Sequence, residues 1–178
     1  LVCETREDLL TYCDRVASTV GLCCVRIWGL RDGVDPSEAD RLAVARGRAF
    51  QLTNILRDFA EDFDDGRIYL PESDFRDAGV SPSEVRSWTN PASCTRMIES
   101  IASRARWFYA ESDPLVGMVS ERCAPTLEAM SRIYRGLLSK IEREPSAIVS
   151  TRRVRLSPVA KVAIALKSVR AVRRAEDG

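Results

Sequence analysis

The sequence has no histidine, and this absence excludes whole classes of chemistry. No Ser-His-Asp relay, imidazole base or imidazole metal ligand can operate, so acid–base or metal chemistry must come from carboxylates, Tyr, Lys or Cys. The six cysteines form no C-x-x-C pair, and a thiolate zinc site would need two such pairs. Their spacing predicts free thiols that pack as small apolar side chains in a reducing compartment.

The sequence also lacks a large net charge and long apolar runs. Its 178 residues include 27 basic and 26 acidic side chains, so bulk charge gives no reason to bind nucleic acid. We expect no signal peptide, and no apolar run approaches the roughly 18 residues of a membrane span. We therefore expect a cytoplasmic protein without a nucleic-acid partner. With 45% apolar residues, the chain is predicted to form a single domain over residues 1–178.

Helical patterns occupy most of the chain, and no alternating strand pattern is present. Leu1 to Trp28 has helical apolar spacing without a clear cap before it. Asp35-Pro36-Ser37-Glu38 begins a helix that should run to about Asp64, because it combines an Asp N-cap, Pro at the first position and Glu at the third. We predict an all-α fold. Its remaining parts are an irregular stretch over 66–80, a short helix from Ser81, a helix from Asn90, a segment from Pro114 to about Glu142 that bends at Pro125, a basic linker from Thr151 to Leu156, and a last helix from Ser157.

The helix from Pro36 contains a polar stripe next to its apolar face. At about 100° per residue, the stripe falls between about 300° and 20° on the helical wheel and is about 16 Å long; its members are Gln51, Asn54, Asp58 and Asp62. The apolar stripe lies between about 40° and 140°, whereas a solvated face would lie near about 270°, where Glu61 points. The polar stripe is therefore either the wall of a cavity or a boundary row of surface ion pairs.

The chemistry of this stripe favours a metal–phosphate site. Asp58 and Asp62 are neighbours about 6 Å apart along the helix axis, and two unpaired carboxylates repel unless a cation lies between them. Oxygen ligands without His or Cys suit Mg²⁺, and Asn54 offers a third oxygen. Arg57 and Arg67 are candidate donors to phosphate oxygens. A two-carboxylate glycosidase is an alternative, but it needs a polar sugar cleft, and the apolar border argues against one.

Three segments resemble the squalene/phytoene synthase family. N-I-L-R-D-x-x-E-D from Asn54, followed by G-R-I-Y-L-P, resembles the family's second aspartate-rich motif. The run Tyr12 to Gly21 looks like its Y-C-x-x-V-A-x-x-V-G helix, and Tyr134 lies in a segment similar to its late Y-R-x-x-L element. The resemblance implies an all-α, Mg²⁺-dependent transferase that joins two prenyl diphosphates head to head. The product would be a cyclopropylcarbinyl diphosphate such as presqualene diphosphate, or phytoene.

The resemblance also implies individual roles. Asp58 and Asp62 would be a magnesium-binding pair, with Asn54 as a further ligand. Gln51, Arg57 and Tyr134 match positions that contact the diphosphate or the prenyl chain, and Asp58, Asp62, Arg57 and Tyr134 are the predicted catalytic residues. Tyr12 matches a tyrosine that faces the cavity. The small-residue wall along the prenyl chain would consist of Val16, Ala17, Val20 and Gly21.

One family motif has no counterpart in the sequence. The first D-x-x-x-D motif is absent upstream of Gln51, because Glu4 and Asp8 have the spacing but not the residue type. The match at Tyr12 would place Leu1 well inside the family fold. We therefore expect the C-terminal two-thirds of such a fold, with half of the metal–diphosphate site absent and the chain alone inactive. The rival hypothesis is a non-catalytic, truncated homologue that acts as a helical partner-binding or assembly subunit.

The C-terminal region is basic, and its last helix is amphipathic. One side of this helix is predicted to carry Val159, Val162, Ala163, Leu166 and Val169. The basic residues of the region are Arg152, Arg153, Arg155, Lys161, Lys167, Arg170, Arg173 and Arg174. The helix either docks on the bundle with a solvated basic face or makes peripheral contact with anionic lipid.

Overall fold

The computed structural model describes residues 3–176, with side chains placed through residue 170. These residues form nine α-helices, one π-helical turn and one 3₁₀ turn, and among them the only β-type pairing is an isolated bridge between Leu30 and Val119. The predicted all-α class is confirmed. In chain order the elements are α1 (Arg6–Cys13), the π turn (Asp14–Ser18), α2 (Thr19–Trp28), α3 (Pro36–Asp64), α4 (Glu72–Ala78), α5 (Pro82–Ser87), α6 (Pro91–Glu111), α7 (Leu115–Met118), α8 (Ala124–Arg143), the 3₁₀ turn (Pro145–Val149) and α9 (Pro158–Glu176).

The 29-residue helix α3 is the central element of the bundle. It starts as predicted, because the Asp35 side chain accepts a 2.9 Å hydrogen bond from the Ser37 amide and Pro36 occupies the first turn. The helix packs against α2, the π turn, α6 and α8. Its predicted apolar stripe is buried at four of five positions, namely Leu52, Ile55, Leu56 and Phe59, while Phe63 is half-buried. The hydrophobic core therefore forms along the face next to the polar stripe.

Three expectations about helix boundaries were wrong. A capping box precedes α1, since the Asp8 amide donates to Thr5 Oγ1 and Asp8 Oδ2 accepts from the Thr5 amide. The stretch 66–80 contains the helix α4, which has no side-chain cap and so gave no start signal. Pro125 does not bend a helix. It lies in the first turn of α8, where a backbone N–H would have no acceptor within the helix, so proline is tolerated there. Residues 119–123 separate α8 from α7.

The π turn packs very closely against α3. A Cβ atom at Gly47 would lie 2.6 Å from the Cα of Ser18, and one at Gly21 would lie 3.0 Å from the carbonyl oxygen of Ala43. The contact is also hydrogen-bonded, because Ser18 Oγ donates to the Val44 carbonyl at 3.1 Å. Glycine at position 47 therefore permits the close approach that places the π turn beside α3.

Helix α9 docks on α8 through a different face from the one predicted. Ala160 and Ile164 are half-buried and Ser168 is buried, so the contact runs along the side of α9 that carries these three residues. The predicted apolar side points outward, with Val159 79% and Leu166 54% exposed. Arg173 and Arg174 lie outside the described side chains. In the described part of the chain, no helix combines the length and the apolar character that crossing a bilayer requires.

Candidate functional site

A cavity of about 240 Å³ lies between α2, α3, α7 and α8 and is called here the α3 cavity. Its wall is mainly apolar and includes small side chains from the π turn and α2, together with polar side chains from α3 and α8. Seven of the residues predicted from the sequence line it: Val16, Ala17, Val20, Gly21, Gln51, Asn54 and Tyr134. The tertiary structure thus brings together three sequence segments that are separated by up to 118 positions.

Other residues of the α3 cavity were not predicted. Arg46 and Phe50 lie on α3, about two turns and one turn before Asn54 respectively, and Phe50 packs on Tyr134 with ring centroids 4.5 Å apart. The apolar wall also includes Trp28, Leu115, Leu127 and Met130. Helical spacing from Asn54 could have identified Arg46 and Phe50, whereas the residues of α7 and α8 depend on packing between distant segments.

Asn54 presents an unsatisfied oxygen at the polar end of this cavity. Its side-chain nitrogen donates to Gln51 Oε1 at 3.4 Å, and its Oδ1 atom is buried without a hydrogen-bond partner. A buried amide oxygen without a partner costs free energy unless a donor or a cation occupies the site. This atom is therefore suited to bind a ligand.

Asp58 lies one turn beyond Asn54 and is bound by two arginines. Arg57 donates to it from Nε at 2.7 Å and Nη2 at 2.6 Å, and Arg153 donates from the same two atoms at 2.5 Å each. Burial alone would raise the pKa of Asp58, but the hydrogen bonds from both guanidinium groups outweigh it and lower the pKa below its ordinary value. Asp58 is therefore ion-paired both with Arg57 on its own helix and with Arg153 on the linker before α9.

The hydrogen bonds that Asp62 accepts are longer than those at Asp58. Arg67 donates to its Oδ1 atom from Nε and Nη2, both at 3.2 Å, and also binds Asp65 at 2.8 Å. Burial raises the pKa of Asp62, the charges of Asp58 and Glu61 add to this, and Arg67 offsets the rise only partly. Asp62 is thus also ion-paired. The two candidate phosphate donors, Arg57 and Arg67, both bind carboxylates of the stripe.

Tyr12 was expected to face the cavity but is not among the residues that line it. Its ring stacks on that of Tyr69, with centroids 5.0 Å apart and planes inclined by 21°. Burial, together with the neighbouring Tyr69 phenol and the charge of Asp62, raises the pKa of Tyr12 to about 12. Tyr69 belongs to the G-R-I-Y-L-P segment, and sequence reasoning assigned it no role.

The donor set of the stripe fits magnesium in chemical type. Asn54, Asp58 and Asp62 offer only oxygen ligands, and one of these oxygens is buried without a partner. Over residues 3–176, no three His, Cys, Asp or Glu side chains converge as a metal centre. A metal ion at the stripe would therefore have to take the place of the arginine contacts at Asp58 and Asp62.

Comparison with known proteins defines the class of this chain. The sequence profile of the family described as squalene/phytoene synthase matches residues 2–160. The chain belongs to this family, as the resemblance of its motifs predicted.

Individual relatives carry several names within that family. The chain is 40% identical over 129 residues to a presqualene diphosphate synthase from Sinorhizobium fredii, covering 71% of this chain and 44% of the relative. It is 34% identical over 166 residues to a phytoene synthase from Mycobacterium bovis, covering 92% of this chain and 53% of the relative. A crystal structure of a dehydrosqualene synthase in complex with ligand superimposes with a TM-score of 0.83 at 30% identity, covering 98% of this chain and 60% of that one. The chain thus spans about half the length of the curated relatives it matches.

Proposed function

We propose that this protein joins two prenyl diphosphates head to head to form a cyclopropylcarbinyl diphosphate. The observation that carries the proposal is the α3 cavity, which has an apolar wall and a polar end. Asp58 and Asp62, each bound by arginine, follow this polar end along α3. A prenyl diphosphate has the same division into a long apolar chain and a charged head. The names of the relatives, presqualene diphosphate synthase and phytoene synthase, support this class of reaction.

The apolar wall would protect the reacting carbons from water. Ionisation of an allylic diphosphate leaves a cation that water would trap, so the reaction requires a dry cavity. Val16, Ala17 and Gly21 are small enough to leave room for a prenyl chain beside α3. Gln51 and Tyr134 would orient the chain's first carbons, because they line the cavity near Asn54.

The polar end would hold the diphosphate. Asn54, Asp58 and Asp62 are the residues that would bind Mg²⁺, which when bound supplies positive charge that stabilises a departing diphosphate. Arg57 and Arg153 would then exchange their carboxylate partner for phosphate oxygens, to which a guanidinium group donates in the same bidentate manner.

The test is titration calorimetry of the chain with a non-hydrolysable farnesyl diphosphate analogue, with and without Mg²⁺. We expect binding that requires Mg²⁺ and is lost in Asp58→Ala and Asp62→Ala. Glu38→Ala is the matched control, because this carboxylate lies on the same helix but in its first turn, where it pairs with Arg41, and it should leave binding unchanged. The absence of binding by a well-folded chain would contradict the proposal and favour the non-catalytic rival.

We further propose that α9 contacts anionic membrane surfaces. Its outward face carries exposed Val159, Val162 and Leu166, and Lys161 and Lys167 are exposed on the same helix. An amphipathic helix of this composition binds lipid through apolar burial and through attraction to anionic headgroups. A water-insoluble isoprenoid product would make such a contact useful.

A further inference from the structure

Arg46 is a buried cation beside an apolar cavity. It lies on α3, is 3% exposed and contributes to the lining of the α3 cavity. Burial lowers its pKa, yet a guanidinium group remains charged in proteins. A buried charge of this kind is costly unless its donors are satisfied, so its partners indicate what the residue does.

The donors of Arg46 connect three helices. Nε donates to Ser112 Oγ and Nη2 to the Ser112 carbonyl, both at 2.8 Å, at the C-terminal end of α6. Nη1 donates to Ser131 Oγ on α8. Among the side chains that the structure describes, the only carboxylate it contacts is that of Asp113, which lies 3.4 Å away and is mostly exposed. Arg46 is thus held mainly by hydroxyl and carbonyl groups of α6 and α8.

The same guanidinium group lies over two aromatic rings. Its Cζ atom is 6.0 Å from the centroid of Phe50 and 5.8 Å from that of Tyr109. Phe50 in turn packs on Tyr134 at 4.5 Å. Ser131 precedes Tyr134 by three residues, so Arg46 reaches Tyr134 by two routes, one along α8 and one through the Phe50 ring.

We propose that Arg46 is a positioning residue that sets the orientation of Tyr134 in the α3 cavity, through its bond to Ser131 and its contact with Phe50. The planar fork of arginine suits this task, because it can donate to α6 and α8 at once while its face covers the rings. The consequence for substrate rests on the proposed function, whereas the orientation of Tyr134 can be measured without a ligand.

The first experiment observes Tyr134 directly. The four tyrosines are replaced by 3-fluorotyrosine, and Tyr134→Phe identifies the ¹⁹F resonance of position 134. We expect this resonance to shift or broaden in Ser131→Ala and in Arg46→Lys. It should stay in place in Asp113→Asn, which changes the exposed carboxylate shared by Arg46 and Arg135 and leaves the bonds of Arg46 to Ser112 and Ser131 in place. An unchanged resonance in folded Ser131→Ala and Arg46→Lys would overturn the proposal.

The second experiment measures coupling in ligand binding. Ser131→Ala should weaken binding of the farnesyl diphosphate analogue by about threefold or more, within the range of coupling between contacting residues. In the Tyr134→Phe background the same substitution should have less than a twofold effect. Equal effects in both backgrounds would indicate general destabilisation and overturn the proposal. If the unaltered chain does not bind the analogue, the proposed function fails, while the ¹⁹F result still decides the role of Arg46.

Discussion

Arg153 and Asp58 are 95 residues apart in the chain and form a bidentate ion pair, with two N–O distances of 2.5 Å. This pair fixes the linker before α9 to the C-terminal half of α3. It also places a cation of the chain on a carboxylate that we propose as a ligand of Mg²⁺. The linker and a metal ion would therefore compete for the same oxygens.

Removal of this competitor should strengthen metal binding. We expect Arg153→Gln to lower the Kd for Mg²⁺ by about two- to fivefold, because partly exposed ion pairs contribute about 0.2–1 kcal/mol. Calorimetric titration with Mg²⁺ alone measures this effect. Arg155→Gln is the control, since it removes a nearby exposed charge that does not contact Asp58. Weaker Mg²⁺ binding in Arg153→Gln would show that the arginine supports the metal site.

The close contact at Gly47 should make this position intolerant of a methyl group. Gly47→Ala places a Cβ atom 2.6 Å from the Cα of Ser18, and backbone cannot move aside as cheaply as a flexible side chain. We expect the free energy of unfolding to fall by about 1–3 kcal/mol, as for other overpacked sites. In Gly117→Ala no atom lies within 4 Å of the new Cβ, so chemical denaturation should show a change below about 0.5 kcal/mol. Equal stability of the two variants would contradict the close packing.

The pair between Asp14 and Arg48 should make stability depend on pH. Arg48 donates to Asp14 at 2.8 and 2.6 Å. Burial alone would raise the pKa of Asp14, but the bonds from Arg48 and Ser18 outweigh it and lower the pKa. A carboxylate with a lowered folded-state pKa stabilises the protein above its unfolded-state value of about 3.9, and this contribution disappears as the pH falls through the folded-state value.

Asp14→Asn should therefore destabilise the protein by about 1 kcal/mol at pH 7, an amount typical of partly exposed pairs. The difference from the unaltered chain should shrink progressively below the unfolded-state value of about 3.9. Urea unfolding across this range measures the difference, with Asp32→Asn in the exposed turn after α2 as the control. A difference that is constant with pH would show that the charge of Asp14 does not contribute.

The outward face of α9 should govern association with vesicles. We expect the double variant Val162→Ser, Leu166→Ser to bind vesicles containing phosphatidylserine about tenfold more weakly or worse, because burial of such side chains contributes about 1.5–3 kcal/mol each. Ile27→Ser is the control, since Ile27 is 82% exposed on α2. Co-sedimentation measures the effect. If the double variant and the unaltered chain bind alike, α9 is not the contact surface.

Much of the fold and part of the site could be predicted because their signals are local. The Asp35 cap, the apolar stripe of α3 and the stripe from Gln51 to Asp62 all depend on helical periodicity within one element. The motif around Tyr12 indicated the wall formed by Val16 and Gly21, although Tyr12 itself stacks on Tyr69. Helix α4 escaped prediction because it is seven residues long and has no side-chain cap.

The sequence by itself determined most of the helices, the family and the residues of the polar stripe, since these are carried by short spacings within single helices. Tertiary structure decided which charges meet. Arg153 forms an ion pair with Asp58, and Arg46 donates hydrogen bonds to Ser112 and Ser131. The partners in these contacts are 66 to 95 positions apart in the sequence. It also turned the apolar side of α9 outward, because the small Ala160 and Ser168 allow close contact with α8. Such pairings depend on how helix faces pack in space, and helical periodicity within one segment carries no information about its distant neighbours.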